Sequence, residues 1–243
     1  MKTLTSKRHE TTFTPICLLA LFILFSTQMV HAQSPRNVFR RVMPSVVLVE
    51  AEKKSFVHNV SYTQSPDVNI GSGVLISNDG KVLTAASVVD DARNISVVFF
   101  NGSRIPARVI KISATADIAV LELERVPANA LVATLGDSTQ AAIGEEVFVV
   151  GSAAGVAQSL SVGFISGRVN DEKPSSGASA VEMLQVDAAL KVGNSGGPVF
   201  NLKGEVIGLI SHTLTKSNQA NKVGLAVTSN VVRQLLADLQ KNK

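Results

Sequence analysis

Gly193-Asn194-Ser195-Gly196-Gly197-Pro198-Val199-Phe200 decides how the chain is read. One serine stands in a run of glycines between two apolar segments. Glycine lets the backbone turn sharply and lets two N–H groups aim at a single point. An oxyanion hole beside a nucleophilic serine needs that geometry. The same octamer also reads as a tight strand-to-strand turn. The preceding Gln185-Val186-Asp187-Ala188-Ala189-Leu190 and the strand pair that follows favour the chemical reading.

Downstream of the octamer, the segments 197–201 and 205–214 are joined by the hairpin turn Asn201-Leu202-Lys203-Gly204, and 223–228 is another strand. The chain then runs into a helical pattern. Val231, Leu235, Leu236 and Leu239 fall on one face, and Asn230 is placed to cap the start. Upstream, 146–150, 159–169 and 181–188 complete a set of strands. Val126-Pro127-Ala128-Asn129-Ala130 separates it from an earlier set. That set begins with Ser45-Val46-Val47-Leu48-Val49-Glu50 and continues after a polar surface loop over 53–70. Gly71-Ser72-Gly73-Val74-Leu75-Ile76-Ser77 turns through Asn78-Asp79-Gly80 into Lys81-Val82-Leu83-Thr84. Asp-Gly between apolar runs is a strong hairpin signal. The segments 95–100, 104–112 and 118–123 fill out the first set. The short basic stretch 35–41 reads as a first helical turn or an arm.

Many short strands at regular spacing predict an all-β fold. The expected architecture is two antiparallel six-stranded β-barrels, over about 45–126 and 134–229, with a C-terminal helix over about 230–241. Composition agrees: 243 residues, 45% hydrophobic, 17% charged, no tryptophan. The formal net charge is +4, and no basic cluster supports nucleic acid as a partner.

The N-terminus has the form of an export signal over 1–32. Lys2, Lys7 and Arg8 precede an apolar run at 16–25, and Val30-His31-Ala32 fits a small-x-small cleavage site before Gln33. The apolar run is about half the ~20 residues a membrane span requires. The expectation is an exported protein, periplasmic or secreted, with membrane association only if the signal is retained. The single cysteine, Cys17, lies in this segment, so the mature domain over 33–243 would carry no thiol or disulfide. No paired cysteines, His-x-x-x-His spacing or phosphate-binding glycine loop is present, so neither metal nor cofactor is expected.

The octamer, together with Gln185-Val186-Asp187-Ala188-Ala189, resembles the nucleophile region of the HtrA/Deg-type trypsin-like serine proteases. Three further blocks agree in order. Gly71 to Ile76 with Val82-Leu83-Thr84 is similar to the strand pair leading to the family's catalytic histidine. Ala116-Asp117-Ile118-Ala119-Val120-Leu121 is similar to the segment bearing its aspartate. Leu135-Gly136-Asp137-Ser138, Ile143-Gly144-Glu145-Glu146-Val147 and Gly151-Ser152-Ala153-Ala154-Gly155 resemble the start of its second barrel. The resemblance covers residues 36–241 and implies the chymotrypsin-like fold of a serine endopeptidase.

It also implies the site. Ser195 and Asp117 match two triad positions. The family's histidine position holds Ser87, within Thr84-Ala85-Ala86-Ser87-Val88-Val89. Gly193, Asn194 and Ser195 are the expected oxyanion hole. Ala189, Leu209, Ile210, Ser211 and His212 are the expected substrate groove. A serine hydroxyl cannot act as the base a triad needs. The resemblance therefore implies a pseudoprotease that binds unfolded or extended polypeptide, or a protein partner. The alternative is an active serine endopeptidase using Ser195 with a displaced or substitute base. His9 and His31 lie in the signal, which leaves His58 and His212 as substitutes. Asp90-Asp91 reads either as a carboxylate pair or as the cap of a short helical turn, and Asp187 also has a structural reading. Family members often trimerise through the N-terminal segment. Phe39, Val42 and Val46 suit either a homotrimer or packing on their own barrel. No C-terminal peptide-binding PDZ module is expected after the helix.

Overall fold

A computed structural model describes residues 34–53, 68–152, 159–171, 181–214 and 223–241. All belong to one compact unit, Ser34–Lys243. The expected signal segment and His58 lie outside the described residues.

The first barrel is built from β1 (Val46–Lys53), β2 (Val68–Leu75), β3 (Lys81–Thr84), β4 (Ala92–Val98), β5 (Arg104–Ser113) and β6 (Ile118–Leu123). The strands close in the order β1-β2-β3-β6-β5-β4, with β4 returning to β1 at Val97 opposite Val49. The second contains β7 (Glu146–Gly151), β8 (Ser159–Asp171), β9 (Val181–Ala188), β10 (Pro198–Phe200), β11 (Val206–Leu214) and β12 (Val223–Thr228). Its order is β10-β11-β12-β9-β8-β7, closed by Val199 opposite Val149. Counted from β7, the second barrel repeats the order of the first. Every strand pairing within the two sheets is antiparallel. This is the expected two-barrel, chymotrypsin-like architecture.

Three packed clusters explain why so many strands read as unbroken apolar runs. Val49, Val82, Val97 and Leu121 fill the first barrel. Val149, Ile165, Leu184 and Val199 fill the second. A third cluster joins them: Val46, Leu83, Ile118 and Val120 from one barrel meet Phe148, Phe200, Leu209 and Val227 from the other. β6 shows the logic, because Ala119 and Leu121 face their own barrel while Ile118 and Val120 face its neighbour. A strand buried on both faces loses the alternation of a one-sided sheet. Each fully buried Val or Leu contributes about 1.5–3 kcal/mol.

Helix α1 (Pro35–Val42) starts with proline, which is preorganised for a first helical position. Its Val38 and Val42 insert into the shared cluster, as does Val46. Of the three residues weighed for a trimer contact, only Phe39 stays partly exposed. A single turn, α2 (Ala86–Val89), follows β3, and Asp90 ends it. Helix α3 (Ser229–Lys241) lays Val231, Leu235, Leu236 and Leu239 against the shared cluster. Asn230 does not cap it. The amide of Asn230 donates instead to Asp137 Oδ1 at 3.1 Å, and Ser229 Oγ donates to the Gly136 carbonyl at 2.7 Å. Asp137 also receives the N–H and hydroxyl of Thr139. Led by the Asn230 bond, these donors hold the Asp137 carboxyl down to about 2 from its ordinary 3.8. Among the described residues no helix is long and apolar enough to cross a membrane.

Candidate active site

Ser195 sits half-buried in a turn that is bonded to both barrels. Within the turn, Asn194 N–H donates to Lys191 O at 3.0 Å, Lys191 N–H donates to Asn194 Oδ1 at 2.8 Å, and Gly197 N–H donates to Asn194 O at 2.9 Å. Outside it, Gly196 N–H donates to Ile210 O at 2.6 Å, which ties the turn to β11. Ser72 N–H of β2 donates to Ser195 O at 2.8 Å. The buried Ser72 hydroxyl donates to Gly193 O at 2.6 Å and accepts the Ser152 N–H at 2.8 Å. One hydroxyl of the first barrel thus fixes a carbonyl and an N–H of the second.

Gly196 is required here. Its φ is +78°, and a Cβ would lie 2.6 Å from the Ala85 nitrogen and nearer still to Ser72 O and Thr84 Oγ1. That close approach sets Ser195 one residue from the end of β3, where Ala85 leads into α2 and Ser87. Thr84 Oγ1 donates to Ser72 O at 2.7 Å, which fixes the same junction from the β3 side.

Asp117 ends the turn between β5 and β6 at φ +49°, a left-handed conformation that Asp tolerates better than most residues. Its carbonyl accepts the Ala86 N–H at 3.1 Å. Its carboxylate is buried and, among the described residues, receives bonds from Ser87 and Ser211. Ser87 N–H gives 2.7 Å to Oδ1, Ser87 Oγ gives 3.2 Å to Oδ2, and Ser211 Oγ gives 2.6 Å to Oδ2. The Ser211 bond is as short as charge-assisted O–H bonds run. The Ser87 hydroxyl bond is the long one, and Ser87 is exposed. Asn69 Nδ2 donates to the Ser87 and Val88 carbonyls at 3.1 and 2.9 Å, satisfying the end of α2.

Ser195, Ser87 and Asp117 are therefore gathered where the barrels meet. Of the three residues expected to form the oxyanion hole, Asn194 has its N–H committed to Lys191 O. Its Nδ2 is buried without a hydrogen-bond partner among the described residues. Neither the Gly193 nor the Ser195 N–H donates to any group among the described residues, so these two are the available donors. Gly193 has φ +96°.

The expected groove residues divide. Leu209 and Ile210 are 2% and 1% exposed and point into packed clusters, so their side chains do not line a groove. The reason is that both faces of β11 are covered here: Leu209 packs in the cluster between the barrels and Ile210 inside the second barrel. Ser211 turns its hydroxyl to Asp117 instead. His212 lies on β11 opposite Leu225, in a stretch that pairs only with β12 among the described strands. Ala189 is exposed, and its carbonyl accepts the Ser161 hydroxyl at 2.8 Å. Among the described residues no cluster of His, Cys, Asp or Glu is arranged to hold a metal ion.

Ser72, Thr84 and Asn69 were not singled out from the sequence. Small polar residues inside otherwise apolar strands were their only signal.

Comparison with known proteins bears on this geometry. Residues 71–209 match the family model described as a trypsin-like peptidase domain. The chain is 36% identical over 178 residues to a probable periplasmic serine endoprotease, DegP-like, of Pseudomonas putida. That alignment covers 72% of this chain and 35% of the relative. A similarly described protein of Ectopseudomonas mendocina is 37% identical over 172 residues, covering 71% and 35%. The chain thus spans about a third of the length of the curated relatives it matches. Among solved structures, the HtrA-type protease AlgW with tripeptide aligns at 25% identity and a TM-score of 0.71, covering 85% of this chain and 63% of the other. The chain belongs to the trypsin-like peptidase family, with HtrA- and DegP-like serine proteases as its relatives.

Proposed function

We propose that the protein is an exported HtrA-like pseudoprotease: it binds extended or unfolded polypeptide and supplies no base of its own to cut it. The observation that carries this reading is the residue type that meets the Asp117 carboxylate at the family's histidine position. Where the family resemblance puts a histidine, Ser87 donates its N–H and its hydroxyl. A general base needs a pKa near the working pH, and an aliphatic hydroxyl is far from that. Loss of the base in a comparable triad costs about 10⁶ in kcat, leaving ~10³–10⁴ over water from the oxyanion hole and binding.

Binding is supported separately. From His212 onward β11 pairs only with β12 among the described strands, and its other edge is where we place strand addition by an extended peptide. The AlgW structure similar to this chain is described as being with a tripeptide. The leader-like N-terminus and the periplasmic relatives support export. The competing reading, an active endopeptidase, is favoured by the glycine turn, whose Gly193 and Ser195 N–H groups donate to no group among the described residues.

The test uses a histidine-free unfolded protein as substrate. Wild type and Ser195→Ala are expected to bind it equally and to leave it intact. Cleavage by wild type that disappears in Ser195→Ala would overturn the proposal, because the chain would then hold its own base.

A further inference from the structure

We propose that the turn bearing Ser195 is a receptor for the free C-terminal carboxylate of a bound polypeptide, held by the Gly193 and Ser195 N–H groups. This rests on the binding reading just given and names the ligand class. The first support is an asymmetry between acceptors and donors. The carbonyls of 193–195 are all bonded within the protein: Gly193 O to the Ser72 hydroxyl at 2.6 Å, Asn194 O to the Gly197 N–H at 2.9 Å and Ser195 O to the Ser72 N–H at 2.8 Å. Asn194 N–H donates to Lys191 O at 3.0 Å and Gly196 N–H to Ile210 O at 2.6 Å. Gly193 and Ser195 N–H donate to no group among the described residues. The turn thus offers donors and withholds its acceptors. Its backbone changes hand, with Gly193 at φ +96° and Gly196 at φ +78° on either side of Asn194 and Ser195. Turns of this kind make concavities that bind anions. Ser195 is half-buried, Val192 is 84% exposed, and Lys191 adds an exposed positive charge to the same turn.

Strand direction selects the end of the chain. β10 runs antiparallel to β11 and begins with Pro198 opposite Leu209. Just before Pro198, the Gly196 N–H bonds to Ile210 O. A strand added along β11 from His212 onward takes up the row in which β10 lies. If it is antiparallel to β11, as every pairing in these barrels is, it runs in the direction of β10. Its C-terminal end then arrives at Gly196 and Ser195. A chain that continues past this point presents a neutral carbonyl. A chain that ends here presents a carboxylate, and hydrogen bonds to an ionised acceptor are about twice as strong. Without a base, no oxyanion develops on a peptide bond at Ser195. The carboxylate is then the negative group these donors can hold, and no bond is made or broken.

The experiment uses a labelled peptide taken from the histidine-free unfolded protein, in three forms. One ends in a free carboxylate and one in an amide. The third ends in an amide and carries a glutamate within it, which restores the same net charge. Binding is followed by fluorescence anisotropy. The carboxylate form should bind about tenfold or more tightly than either amide form. Ser195→Ala keeps both backbone N–H groups and should keep the preference. Gly193→Ala forces a side chain onto a left-handed residue and should lose it. A second measurement avoids any folding defect in that variant. In the ¹⁵N-labelled wild type, the Gly193 and Ser195 N–H protons should move downfield with the carboxylate form and not with the amides. If the three forms bind equally, or none binds while the unfolded protein does, the inference fails and the binding reading stands. If the carboxylate form is preferred but those two resonances do not respond, the receptor lies elsewhere and the inference fails. If neither peptide nor unfolded protein binds, both fail.

Discussion

Ser211 Oγ, on a strand of the second barrel, donates a 2.6 Å hydrogen bond to Asp117 Oδ2, on a turn of the first. Both residues are buried, at 5% and 7% exposure. A buried carboxylate is tolerated only when donors surround it. The second barrel therefore contributes to the stability of a first-barrel acid, and the two units cannot separate without uncovering it.

Ser211→Ala tests this. A hydrogen bond to a charged group contributes about 1.5–3 kcal/mol, and its loss leaves Asp117 short of a donor. Urea unfolding should show a lower midpoint with an unchanged slope. A variant as stable as wild type would mean that Asp117 finds water or another donor at no cost.

Ser87→His should create an autonomous protease. The new ring takes the place of the Ser87 hydroxyl that donates to Asp117 Oδ2, and the turn bearing Ser195 is already fixed. On the histidine-free substrate, Ser195-dependent cleavage should rise by ~10²–10⁴ over wild type. No gain in a folded variant that binds substrate would show that the Gly193 and Ser195 N–H groups do not meet the scissile carbonyl.

Ser72→Ala should destabilise by about 1–3 kcal/mol, because it strands the Gly193 carbonyl and the Ser152 N–H in a buried place. The loss should also loosen the nucleophile turn. Hydrogen exchange at Gly196 and Gly197 N–H, compared with wild type, reads that effect directly.

Asp137 predicts an acid-side loss of stability. Its folded pKa, about 2, lies below the ordinary 3.8, so the folded state favours the carboxylate. The contribution is present above 3.8 and is lost as pH falls through about 2. It is small, since the group faces water. Melting temperatures should fall more steeply in that window for wild type than for Asp137→Asn, which keeps an acceptor for Thr139 but cannot titrate. Parallel curves would remove Asp137 from the acid response.

Barrel membership was legible because burial sets the pattern: β6 and β12 are nearly unbroken apolar runs, β9 intersperses Glu182, Gln185 and Asp187 among buried residues, and all three run where the pattern puts them. β4 was harder. The pattern places it at 95–100, yet it starts at Ala92 and ends at Val98. Its opening Arg93 and Asn94 are exposed, and Asn94 earns its place through pairing with Glu52 rather than through burial. The site divides the same way. Ser195 and Asp117 stand in local motifs. Ser72 does not, because its partners Gly193 and Ser152 lie 121 and 80 positions away in the chain. Leu209 and Ile210 were expected beside a groove but lie inside the protein, since only the packing of the two barrels reveals that both faces of this stretch of β11 are covered. Asn230 looks like a cap by position, and only the fold brings Asp137 to its amide.

Gly196 adds a consequence for how such chains are recognised and how they change over time. A side chain there collides with Ala85, Thr84 and Ser72 whether or not any peptide is ever cut. Selection for a foldable protein alone is enough to keep this glycine. A lineage that abandons hydrolysis would lose its base freely and its nucleophile turn only slowly. The glycine-rich signature is thus a record of architecture, and the residue facing Asp117 is the better witness to chemistry.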